Sequence, residues 1–157
     1  MTRPIAATQF IHDRPQCVME ETVRSDLLGE EYWGAIFSGD SQKSWRYMLW
    51  RIWDESKRLY VIIMLNPSTA DHEANDNTIS VVITRAKQAG FGGILVVNAF
   101  AWRATEPIEM KKAGKPVGIH NDHAIMLAIS TQDSFLLCAW GPPAAHLDRN
   151  KELRCLI

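Results

Sequence analysis

Three nearly solid apolar runs stand out along this chain: "RLYVIIML" (58–65), "GILVVNAFA" (93–101) and "SFLLCAWG" (134–141). A run without polar alternation is the pattern of a strand covered on both faces. Between the first two runs, Ile79, Val82, Ile83 and Ala86 recur at helical spacing, which predicts a helix over about 78–89. Asp76 or Asn77 is placed to cap it, and Gly90 to end it. After a long polar loop, "HNDHAIMLAIST" (120–131) predicts a second helix starting at Asn121 or Asp122, and "HLDRNKELRCLI" begins a third. Strands that alternate with helices in this way imply right-handed crossovers and a mainly parallel sheet.

Ahead of these lies a different pattern. "YWGAIFS" (32–38), a "GDSQK" turn and "SWRYMLWRIW" (44–53) predict an antiparallel, aromatic-rich hairpin. Simple alternation puts Trp45, Tyr47, Leu49 and Arg51 on one face of its second strand, and Arg46, Met48, Trp50 and Ile52 on the other. The expected fold is an α/β three-layer sandwich with a mainly parallel central sheet, extended by that N-terminal hairpin. Residues 1–30, with two prolines and weak periodicity, read as an N-terminal extension, and residues 31–157 as a single α/β domain.

The totals narrow the class. At 157 residues the chain holds one domain with a real core, and 46% hydrophobic with 22% charged residues suits a soluble globular protein. A net charge of −1 argues against strong non-specific binding to nucleic acid but leaves room for a local basic patch. Cys17, Cys138 and Cys155 have no metal-type spacing; Cys138, inside an apolar run, reads as a small core residue. The odd, scattered set fits a reducing compartment. No run approaches the roughly 20 apolar residues of a membrane span, and the N-terminus lacks a secretory core, so no membrane association and a cytoplasmic location are expected.

Candidate chemistry collects where the strands end. Ligands of open parallel sheets bind beyond the carboxyl ends of the strands. The first run exits into Asn66-Pro67-Ser68-Thr69-Ala70-Asp71, the second carries Asn98 and exits through Trp102-Arg103, and the third through Trp140-Gly141. Each has a plainer reading: a turn at 66–69, a cap at Asp76, core packing for the tryptophans, an ion pair of Arg103 with Asp71 or Asp76. Asn98 is the hardest to explain away, because a buried amide without a partner costs about 1–3 kcal/mol. It must bond a neighbouring loop or a ligand. The basic segment "KKAGKP" (111–116) reads as a solvated loop or a phosphate contact. His120 and His123, three apart, lack the third ligand a metal centre needs, so neither metal nor cofactor is expected. No Gly-rich phosphate loop, GxGxxG turn or GxSxG elbow is present.

"MLNPSTADHEANDNTI", "VVNAFAWRATEP", "PVGIHND" and "CAWG", in that order from about Tyr32 onward, resemble a family of bacterial and phage proteins known as DUF1643. The positions carrying the likeness are Asn66, Pro67, Ser68, Asp71, Asp76, Thr78, Asn98, Arg103, Gly118, Asn121, Asp122, Trp140 and Gly141. The resemblance implies no established activity. It does imply a further segment with a His-Pro motif beyond residue 157, so the domain reads as truncated, and an incomplete sheet edge would favour self-association. A looser similarity, in strand order and short motifs, is to the uracil-DNA glycosylase superfamily. It implies hydrolysis of an N-glycosidic bond, with Asn66 and Asp71 as catalytic residues that position water. Ser68, Asn98, Trp102, Arg103 and Trp140 would bind a nucleotide, nucleobase or nucleic acid. Two other readings stand beside it: a non-catalytic nucleotide- or anion-binding module, and metal-dependent phosphate chemistry at Asp71, Asp76 and Asp122.

Overall fold

In a computed structural model, which describes residues 3–13, 16, 18–25 and 31–157, the described residues form a six-stranded sheet with five α-helices. The strands are β1 (Val18–Ser25), β2 (Glu31–Ser38), β3 (Arg46–Ile52), β4 (Leu59–Met64), β5 (Gly93–Asn98) and β6 (Ser134–Cys138). The helices are α1 (Ile5–Asp13), α2 (Asn77–Gln88), α3 (Pro107–Lys112), α4 (Asn121–Ile129) and α5 (Arg149–Leu156). Cys17 lies outside the described residues.

The sheet order is β1-β2-β3-β5-β4-β6. Only β5, β4 and β6 run parallel; β1–β2, β2–β3 and β3–β5 are antiparallel. The sheet is therefore mixed, where a mainly parallel one was expected. Two things account for the difference: residues 18–25 add a further antiparallel strand, and β3 inserts beside β5 rather than at a remote edge.

Alternation along the strands divides the core into two clusters. Leu95 and Val97 of β5, and Ala99 just after it, join Met48, Trp50, Val61 and Ile63 in the larger one, together with Phe10 of α1, Ala124, Ile125 and Ala128 of α4, and Leu153 of α5. Ile94 and Val96 join Leu49, Ala70, and Ile79 and Ala86 of α2 in the other. Residues expected as an extension thus contribute α1, whose Phe10 ring lies 5.5 Å from Tyr47, and β1, paired with β2 from Val18↔Ser38 to Ser25↔Glu31.

Three sequence expectations are corrected here. The register shifts between Ile36↔Met48 and Phe37↔Arg46, so Tyr47 is an extra residue in β3. Such a bulge resets the alternation. Tyr47 packs in the larger cluster with Met48, while Arg46 turns to the face of Leu49 and Arg51 and bonds the Ala70 carbonyl. Second, β6 is not a buried strand but the sheet edge: Phe135 is 47% exposed, Leu137 37%, and Cys138 is exposed rather than core. Its run is apolar because Phe135 stacks on Tyr60 and Leu136 packs on the larger cluster, not because both faces are covered. Third, the polar loop 102–119 contains α3. Pro107 opens it, and Glu109 reaches back to the Glu106 backbone N–H at 3.4 Å. The E-P-x-E spelling carries that start signal.

No helix among the described residues is long and apolar enough to cross a membrane.

Candidate functional site

The chain leaves β4 at Met64 and runs as an extended loop to the Asp76 cap of α2, where Asp76 Oδ1 accepts from Ile79 N at 2.8 Å. This loop has little apolar side chain to bury, so its position depends on polar ties. Asn66 Nδ2 donates to Ala104 O (2.8 Å) and Pro67 O (3.1 Å), and Ala104 N returns a bond to Pro67 O (2.9 Å). Asp71 Oδ1 accepts from Glu73 N and Ala74 N, each at 2.9 Å, closing an Asx turn. His72 Nδ1 sits 2.8 Å from Glu21 Oε2 of β1, and Lys43 pairs with the other oxygen of Glu21.

Two buried arginines of β3 hold the same loop by its carbonyls. Arg51 donates to the Asp71 and Ala74 oxygens (the latter 3.2 Å), to Asn75 Oδ1 (2.9 Å) and to Trp50 O (2.9 Å), with its guanidinium 4.4 Å over the Trp33 ring. Arg46, 2% exposed, donates to Ala70 O at 2.6 Å. A planar fork suits this work, because it satisfies several diverging acceptors from one side chain. Burial pushes the Arg46 guanidinium down to about 9 and Arg51 to about 10, so both stay charged at neutral pH. Asp76 and Asp71 hold Arg46 up, while Arg103 and Arg51 push it further down. Around Arg46, then, three guanidiniums face two carboxylates.

The end of β5 is fixed from the opposite face. Asn121 Nδ2 donates to Asn98 O (2.8 Å) and Ala99 O (3.1 Å), and the buried Arg149 donates Nε–H to Ala99 O (2.7 Å) while pairing with Asp122 and Glu152. Asn121 and Asp122 thus serve β5 and α5. Asp122 starts α4, which packs in the larger cluster, whereas Asp71 and Asp76 lead into α2 in the other. The three carboxylates proposed from sequence as a metal set are divided by the sheet, and no metal-ligating group of three or more His, Cys, Asp or Glu occurs among the described residues.

What remains at the carboxyl edge is an unsatisfied polar set. Asn98 is 1% exposed, yet neither its Nδ2 nor its Oδ1 has a partner. It lies opposite Met64, and alternation with Val96 turns it to the face of Arg46. Nε of Arg46 and Nε of Arg103 are also buried without partners. Arg103 lies 5.1 Å over the Phe37 ring and donates to Lys43 O at 3.4 Å; it makes no ion pair with Asp71 or Asp76. Ser68 is half-buried in the same loop. Trp102, edge-on to Trp45 at 5.2 Å, and Trp140 both pack against the larger cluster, away from the Asn98 face. The structure therefore gathers Asn66, Ser68, Asp71, Asn98 and Arg103, and sets Trp102 and Trp140 apart. Sequence reasoning missed Arg46 and Arg51. The available signal was two cations inside a strand whose both faces are aromatic, since a buried charge needs a partner. An open cavity of about 670 Å³ lies elsewhere, at the other end of the sheet beneath α1, lined among others by Ile5, Ile52, Leu59 and Leu127.

Burial pushes the Asp71 carboxyl up, but the Glu73 and Ala74 N–H groups, His72 and Arg103 outweigh it and leave it below its ordinary value. A depressed carboxylate stabilises the fold above the unfolded pKa of about 3.9, and that contribution is lost as pH falls through the lower folded value. Asp71→Asn should accordingly be less stable than the parent at neutral pH in urea titrations, with the gap closing below about pH 4. An equal gap at all pH values would show that charge plays no part.

These features define a mixed α/β protein with a cluster of buried polar side chains at the carboxyl ends of β4 and β5. The chain belongs to the family described as protein of unknown function DUF1643, whose model matches residues 46–157. The match begins at Arg46 and takes in every residue of this site except those supplied by β1, β2 and the loop that follows β2. No curated protein matches the chain, and no solved structure does.

Proposed function

We propose that the carboxyl edge of β4 and β5 binds a nucleotide or a closely related anion carrying an amide-like ring. The observation that carries this reading is Asn98: a side chain 1% exposed with both amide atoms unpartnered. An amide offers one donor and one acceptor side by side, which complements the edge of a nucleobase. Arg103 and Arg46, each with a buried unpartnered Nε, supply the excess positive charge that a phosphate needs.

A hydrolytic role at an N-glycosidic bond draws less support. Asp71 already accepts two backbone N–H groups, and its lowered pKa makes it a weak general base. Asn66 spends its amide donor on Ala104 and Pro67, leaving only its oxygen to orient water. Binding is the better supported of the two.

The test is thermal stabilisation and calorimetric titration with the four nucleoside 5′-monophosphates, their free bases and inorganic phosphate, with product analysis after incubation. Stabilisation by a monophosphate, weakened at least about tenfold in Arg103→Ala without loss of fold, is expected from removing one charge-assisted contact. Product formation would move the reading to hydrolysis. No response to any probe would end it.

A further inference from the structure

The two edges of the sheet are built differently. β1, at one edge, reads Val-Met-Glu-Glu-Thr-Val-Arg-Ser, with Glu20 paired to Arg3, and Glu21 to Lys43 and His72. Charge on an edge strand guards it against pairing with another chain. β6, at the other edge, reads Ser-Phe-Leu-Leu-Cys, with no charge, no proline and no register shift against β4. Asp133, just before it, is engaged by Arg58 at 3.0 Å. The ladder shows which backbone groups β6 leaves over. Ala139 N donates to Ile63 O at 2.7 Å, so by alternation the N–H and C=O groups of Phe135 and Leu137 also point to β4. Those of Ser134, Leu136 and Cys138 point away from the sheet. Ser134 O accepts from Arg58 Nη2 at 3.1 Å, whereas the Leu136 and Cys138 groups bond nothing among the described residues.

We propose that a second copy of this chain pairs with this edge, antiparallel and about a two-fold axis through Leu136. The register follows from the unused groups: Leu136 N–H and C=O exchange bonds with those of the second copy's Leu136. Ser134 then lies opposite the second copy's Cys138, and Phe135 opposite its Leu137. The strand is self-complementary in this register, small residue against small and large apolar against large apolar, with no like charges opposed. An axis normal to the sheet keeps each face on its own side. The Phe135 ring, stacked on Tyr60 at 5.5 Å, therefore meets Leu137 of the second copy, and two side chains that are 47% and 37% exposed are covered together. An unrelated extended peptide would satisfy the same backbone groups; the two-fold match of side chains is what selects a second copy. A five-residue pairing lies at the small end of specific interfaces, so the dimer is weak and forms at high protein concentration. The proposal does not depend on the nucleotide reading of Asn98.

Sedimentation velocity of the full chain from about 10 μM to about 1 mM, with Leu137→Lys beside it, tests the association. The parent should pass from monomer toward dimer across that range. Leu137→Lys removes both Leu137–Phe135 pairings and sets an ammonium in each, so it should weaken the dimer at least about tenfold while dilute protein melts as the parent does. A covalent readout tests the register. In a chain carrying C17S and C155S, Ser134→Cys is oxidised with diamide, which takes up the two hydrogens released as each disulfide forms. Facing Cα atoms of a hydrogen-bonded antiparallel pair stand about 5.5 Å apart, within disulfide reach. The S134C thiol should bond Cys138 of the second copy and yield a linked dimer. The same chain with Ser134 retained should stay unlinked, because Cys138 lies opposite Ser134 and not opposite its own counterpart. A monomer throughout the range, a dimer that Leu137→Lys leaves intact, or failure of S134C to link overturns the proposal. Should the lysine variant melt lower, the cross-link decides.

Discussion

Arg51→Ala should lose about 3–5 kcal/mol of stability in urea unfolding, a large share of the roughly 5–15 kcal/mol of an ordinary domain. The guanidinium is 0% exposed and is the common partner of Asp71 O, Ala74 O, Asn75 Oδ1 and Trp50 O. Alanine leaves these acceptors facing a void, and each buried acceptor without a donor costs about 1–3 kcal/mol. The loop can relax toward water and recover part of that, which is why the expected loss is below the sum. Arg51→Lys tests the cause. A lysine restores the charge but not the planar fork, so it should recover less than half the loss. A loss under about 1 kcal/mol for alanine would mean that the loop is held by other ties, with His72–Glu21 and Arg46–Ala70 the alternatives.

Asn98→Leu should do the opposite and raise stability while abolishing the ligand response. Leucine has the same number and branching of side-chain heavy atoms, and it removes two buried polar atoms that have no partners in the free protein. Relief of about 1–3 kcal/mol is expected, which for a chain of this size corresponds to roughly 2–4 °C of melting temperature per kcal/mol. Strain or unsatisfied polarity kept at one place is what a binding site stores. If Asn98 were instead a structural residue, leucine would destabilise. Calorimetric melting of parent and variant, with and without nucleoside monophosphates, separates the two. Asn98→Leu that melts lower, or that keeps the ligand-induced shift, would dismiss Asn98 as a contact.

How much of this was readable from the sequence differs by element. β4, β5 and α2 follow from apolar runs and a cap; the ends of β4 and α2 fall within a residue or two of expectation, with Asp76 the cap in fact, while β5 stops at Asn98, three residues before its apolar run does. The convergence of Asn66, Asp71, Asn98 and Arg103 followed from strand direction alone. The bulge at Tyr47 was not legible, because one extra residue leaves no mark in composition yet reverses which face every preceding residue takes. Arg46 therefore reads as a neighbour of Met48 and Trp50 but lies with Leu49 and Arg51. The edge position of β6 was hidden for a related reason: an apolar run records what a strand touches, not how many neighbours it pairs with. The ties made by Asn66 and Asp71 were equally invisible, since turn and site use the same residue types.

The division of the sheet also bears on how the chain assembles. β1, β2 and β3 pair with neighbours in sequence, so that half closes short loops and carries little entropic cost to begin. The parallel half joins Val61 to Leu136 across β5 and three intervening helices and must close last. Yet the early half contains Arg46 and Arg51, most of whose acceptors lie on the loop that follows β4. Until that loop docks, the two guanidiniums remain hydrated and the face of β3 stays open. The slow, long-range step therefore completes the local one, which couples the two halves of the sheet into a single folding unit rather than two.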